Sequence, residues 1–98
     1  MSAMAFVSIT PLGEGESVSK FVAKSVQVIK DSGLSWQLTP MGTVIEGEKL
    51  DEVLAVINRA VEAQDECERI SISVKIDYRK NKSLGLNTKV DSVMNKLK

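Results

Sequence analysis

Ile70-Ser71-Ile72-Ser73-Val74-Lys75-Ile76-Asp77-Tyr78 alternates apolar and polar residues without a break. Period two over this length is the signature of a strand with one apolar and one polar face. The strand is expected from Arg69 to Arg79, and the rest of the chain is read outward from it. Before it lies Asp65-Glu66-Cys67-Glu68, a polar, acidic connection. Upstream of that, Leu50, Val53, Leu54, Ile57, Ala60 and Val61 recur at helical spacing from about Lys49 to Gln64. Asp51 and Glu52 fall in the first turn, where the helix dipole favours acids. After the strand come a basic loop, Lys80-Asn81-Lys82-Ser83, and a short amphipathic helix marked by Leu86, Val90, Val93, Met94 and Leu97.

The first half repeats the theme. Ala5 to Thr10 reads as a strand closed by Pro11, and Leu12 to Glu16 as a loop. A helix then starts at Ser17 as N-cap, with Val18, Phe21, Val22, Val26 and Ile29 as its stripe and Gly33 as its stop. Leu34, Trp36 and Leu38 alternate with Ser35, Gln37 and Thr39. Thr39-Pro40-Met41-Gly42 is a type I turn, and Thr43 to Glu46 is a short strand, so the pair forms a hairpin. The order β-α-β-β-α-β is a split βαβ. It predicts an α+β, ferredoxin-like two-layer sandwich with an extra C-terminal helix, folded as one domain over residues 1–98.

Composition excludes much chemistry. The chain has 98 residues, no histidine and one cysteine, Cys67. Histidine-based nucleophilic pairs, a thiolate zinc site and an intrachain disulfide are therefore impossible. The chain reads as a non-enzyme with no catalytic or metal-ligating residues. A lone cysteine and the absence of a secretory pattern at Met1 to Ala5 fit a reducing, cytoplasmic setting. No apolar run is long enough for a membrane span. Four aromatics are few for stacking bases, so nucleic acid is not an expected partner.

The formal net charge is zero, but residues 1–74 sum to minus five and residues 75–98 to plus five. The basic end is either a solvated tail or a segment that docks on an acidic surface. The sheet face without helices is expected to show Ser71, Ser73, Lys75, Asp77, Ser35, Gln37, Thr39, Ser8 and Thr10. It is thus rich in small hydroxyls. Such a face suits plain solvent exposure, sheet-to-sheet association or a pocket between subunits. The parity of the strand from Thr43 to Glu46 is ambiguous, because both of its faces mix polar and apolar residues.

Other motifs are weak. Gly13-Glu14-Gly15-Glu16 precedes a helix, but its acids would repel phosphate. An acylphosphatase-type enzyme of this topology would want an arginine in that loop, and there is none. Trp36 shares parity with Leu34 and Leu38 and is expected in the core.

Thr10-Pro11-Leu12-Gly13, Ser17-Val18-Ser19, Gly33-Leu34 and the run Leu38-Thr39-Pro40-Met41-Gly42-Thr43-Val44-Ile45-Glu46-Gly47 resemble a family of small thiamine-binding proteins. Ile76-Asp77-Tyr78-Arg79 looks similar too. The resemblance covers nearly the whole chain in order. It implies a ferredoxin-like fold assembled into dimers or tetramers through the sheets. It also implies non-catalytic binding of thiamine or its hydroxymethylpyrimidine part as a ligand, with no cofactor. The matching positions are Thr10, Pro11, Ser19, Thr39, Met41, Gly42, Thr43, Glu46 and Asp77, with Glu46 or Asp77 facing the thiazolium cation. The rival reading is a regulatory or structural interaction module of the same topology.

Overall fold

The computed structural model describes residues 1–15, 18–81 and 85–97. The expected N-cap Ser17 and loop residues Lys82 and Ser83 lie outside these. The elements are β1 (Ser2–Pro11), α1 (Ser19–Asp31), β2 (Ser35–Thr39), β3 (Gly42–Gly47), α2 (Leu50–Glu62), β4 (Ile70–Arg79) and α3 (Leu86–Lys96). The four strands form one antiparallel sheet in the order β2-β3-β1-β4. This is the ferredoxin-like α+β sandwich with an added C-terminal helix.

Register settles which residues face the helices. Ala5 lies opposite Ile45 on one side and Ile76 on the other, and Trp36 lies opposite Ile45. Directly opposed residues share a face. Ala3, Ala5, Val7, Ile9, Thr43, Ile45 and Trp36 therefore face the helices. Ala3, Ala5, Val7, Ile9 and Ile45 are buried against Ile29 of α1 and Val53, Val56, Ile57 and Ala60 of α2, and Trp36 packs half-buried on their edge. The small Ala3 and Ala5 let the helices sit close to the middle of the sheet. In α2 the apolar stripe is shifted from expectation: Val56 is buried, and Leu54 is exposed.

The open face carries Ser2, Met4, Phe6, Ser8 and Thr10 from β1, with Gly42, Val44 and Glu46 from β3. Ser71, Ser73, Lys75 and Asp77 of β4 and Ser35, Gln37 and Thr39 of β2 lie on it with Ser8 and Thr10, as expected, while Met4, Phe6 and Val44 make its centre apolar. Gly42 is where packing is tightest. A Cβ there would stand 2.6 Å from Cζ of Phe6 and 2.8 Å from the Val7 carbonyl oxygen.

The helix-facing side of β4 departs from expectation. Ile72, Val74 and Tyr78 share the helix-side parity, yet they are 46%, 42% and 40% exposed. The reason is position. β4 is the sheet's edge, and α1 and α2 lie chiefly over β1, β3 and β2. Alternation shows that a strand has an apolar face, not that something in the same chain covers it.

The element ends follow local chemistry. Gly33 has φ of 84°, the left-handed position that terminates α1. Oε1 of Glu52 accepts the backbone N–H groups of Glu48 and Lys49 and so ties down the start of α2. Glu46 does the same for α3. Its carboxylate accepts N–H bonds from Gly85 (3.0 Å) and Leu86 (2.9 Å) and the Ser2 hydroxyl at 2.5 Å. Leu86 is buried at this junction, while Val90, Val93, Met94 and Leu97 are exposed.

Candidate functional site: a notch where β1 outruns β3

β1 pairs with β4 along its whole length, but its pairing with β3 ends at Val7 opposite Thr43. Residues beyond Val7 have no β3 partner. The hairpin turn sits beside this gap, and α1 passes over it. The result is a cavity of about 160 Å³. Its walls are β1 from Val7 to Thr10, the hairpin from Leu38 to Thr43, and Val22, Ser25, Val26 and Ile29 of α1. Its size matters: an apolar cavity of about 150 Å³ admits a single benzene-sized ring, whereas drug-sized ligands need about 300 Å³ or more. The notch suits one small ring.

The hairpin is locked from within. Oγ1 of Thr39 accepts the N–H groups of Met41 and Gly42, both at 3.2 Å, and donates to the Gly42 carbonyl at 2.8 Å. Neither Pro40 nor Met41 has positive φ, so the turn is not of the primed kind usual in two-residue hairpins. The Thr39 hydroxyl supplies the extra fixing. Thr43 is buried and aimed at the helix side, and among the described residues its hydroxyl makes no hydrogen bond. It can donate or accept.

Behind the notch lies a buried polar chain. Oγ of Ser25 donates to the Ala60 carbonyl at 2.6 Å. Nε2 of Gln64 donates to Oγ of Ser25 at 2.9 Å and to the Ile9 carbonyl at 3.1 Å. Gln64 thus meets a backbone group that β3 is too short to pair. Among the described residues its Oε1 is buried without a partner. An orphaned buried acceptor costs about 1–3 kcal/mol, so the two bonds of Nε2 must hold the amide this way round.

Of the expected site residues, the structure gathers Thr10, Thr39, Met41, Gly42 and Thr43 around the notch. Pro11 is buried at the end of β1, next to Thr10. Ser19 lines an adjoining apolar groove formed with Val22, Val26 and Leu38. Glu46 and Asp77 stand apart. Both lie opposite Met4, so both belong to the open face. Neither lines the notch. Ser25 and Gln64 were absent from the sequence reading. Their signal was available: Ser25 sits four residues from both Phe21 and Ile29, and Gln64 four beyond Ala60, each a polar residue on an apolar stripe.

No charged side chain among the described residues lines the notch. Cys67 is buried nearby in sequence to Gln64, and burial, with Glu14, Glu66 and Asp65, pushes its thiol pKa up. On the surface Lys24 hydrogen-bonds Glu66, and that bond raises the pKa of the lysine and lowers that of the acid.

Residues 5–94 match the sequence family described as thiamine-binding protein. The chain belongs to that family. A UPF0045 protein of Mycobacterium bovis is 43% identical over 94 residues, covering 95% of this chain and 92% of the relative. The crystal structure of a hypothetical Methanocaldococcus jannaschii protein superposes with a TM-score of 0.84 at 39% identity, covering 95% and 96% of the two chains. A Thermotoga maritima protein described as a proposed thiamine biosynthesis/salvage protein has a TM-score of 0.82. At 16% identity, with 95% and 99% coverage, it shares the fold alone. Leu38 to Thr43, the first part of the hairpin run, line the wall of the notch in this family member.

Proposed function

We propose that the protein is a non-enzymatic binder of thiamine or its hydroxymethylpyrimidine part, acting as a homo-oligomer. The observation that carries this reading is the ring-sized notch, walled by the hairpin run of a thiamine-binding family member. Val22, Val26 and Ile29 offer the apolar surface that one face of a ring needs, and Thr43 and Ser25 offer hydroxyls at its edge. Two rings exceed the volume, so the pyrimidine enters and the thiazolium stays outside, over the groove beside Ser19 or against a second subunit. Thr10, Pro11, Thr39, Met41 and Gly42 shape the site mainly through backbone and turn geometry. Glu46 and Asp77 do not contact a ring held in the same chain's notch.

Self-association is the second part of the reading. β4 is a ten-residue edge strand that pairs on one side only among the described residues, with Ile72, Val74 and Tyr78 exposed. Such an edge is a template for another strand.

Calorimetric titration with thiamine, and in parallel with hydroxymethylpyrimidine, tests the reading. Saturation at one site per chain is expected for both. Thr43→Val should weaken both about three- to tenfold, the worth of one ordinary hydrogen bond. Asp77→Ala should leave them unchanged. No heat and no thermal shift at millimolar ligand would overturn the proposal.

A further inference from the structure

We infer that Ser25 makes the floor of the notch an acceptor, and that it selects rings bearing an exocyclic N–H donor at the buried edge. This rests on the reading of the notch as a ring-binding site and adds what the ring must present. A serine hydroxyl has one proton to give and two lone pairs to receive with. The Ser25 proton is given to the Ala60 carbonyl at 2.6 Å, and one lone pair takes the Gln64 N–H at 2.9 Å. One lone pair remains, and Ser25 lines the cavity.

Turning the proton into the cavity would strip the Ala60 carbonyl of its hydroxyl donor, and turning it toward Gln64 would require the amide to turn over. That would set Oε1 against the Ile9 carbonyl, replacing an attraction with a repulsion. As placed, Nε2 meets both acceptors, while Oε1 has no partner among the described residues. Gln64 is therefore a positioning residue: by donating to Ser25 it closes one direction to the Ser25 proton, which the Ala60 carbonyl holds, and it does so without lining the cavity. Thr43, whose hydroxyl is uncommitted, imposes no such choice. Discrimination in the notch comes from Ser25, because a site built to receive a donor rejects an analogue that lacks one.

The test is a ligand series on the unaltered protein, so folding of a variant is not at issue. The probes are hydroxymethylpyrimidine with its amino group, the same ring with methyl in the amino's place, and the same ring with methoxy there. The amino compound should bind at least about tenfold more tightly than either of the others. Equal binding of amino and methyl compounds would overturn the inference and leave ring binding in place. Binding of none would overturn both. In Ser25→Ala, checked for a native circular dichroism spectrum, the preference should disappear. A folded Ser25→Ala protein that keeps it would overturn the assignment to Ser25.

Discussion

Gly42 illustrates how one residue can serve two faces of a sheet. Its Cα lies under the Phe6 ring on the open side, and its chain neighbours wall the notch on the other. A ring alone can turn away from an added methyl, but the Val7 carbonyl is fixed in the sheet. Gly42→Ala should therefore destabilise the protein by about 1–3 kcal/mol, an overpacking cost, measured by urea denaturation. Cys67 offers a second residue-scale prediction. Burial raises its thiol pKa, so little thiolate forms near neutrality. Alkylation at pH about 8 should be much slower than for a free cysteine, whose pKa is about 8.5, and should reach the free rate in denaturant. The sequence showed Cys67 to be unpaired; only packing shows that it is shielded. The parity of Thr43 and Ile45 was likewise ambiguous in sequence, since each face of β3 mixes polar and apolar residues. Pairing with Ala5 and Val7 resolves it.

At the scale of elements, every strand and helix was legible, because each carries a clean period or a stop signal such as Gly33. What was not legible is which element covers which. Five alternating residues in β4 announced an apolar face, yet the helices fall short of it. The hairpin run was visible as a motif, while the notch beside it depends on β1 being longer than β3, a relation between two strands that neither sequence states. Glu46 shows the same limit. The sequence shows a carboxylate at the end of a motif; only the fold shows that it caps α3 and accepts the Ser2 hydroxyl. Glu46→Gln keeps one acceptor and loses the charge that favours a helix N-terminus, so it should loosen α3 by about 1 kcal/mol. Hydrogen exchange in residues 86–96 should quicken, while exchange in α1 and α2 stays the same. The Lys24–Glu66 pair links α1 to the segment after α2 from an exposed position, and its contribution should fade in salt. Because Glu66 is lowered, that contribution is present above the ordinary glutamate range and is lost as acid titrates through the lowered value.

For the whole molecule, the exposed strip on β4 and the exposed stripe on α3 leave apolar surface at two margins. If β4 is the edge by which copies meet, Ile72→Lys combined with Val74→Lys should shift the mass in light scattering to that of one chain. Binding of hydroxymethylpyrimidine, a single ring that fits the volume of one chain's notch, should survive the change. Trp36, the single tryptophan, lies two residues from Leu38 in the notch wall and packs half-buried on the core. The hairpin therefore carries its own lamp: entry of a ring beside Leu38 should alter the colour or intensity of the protein's emission, and occupancy can be followed with no label attached.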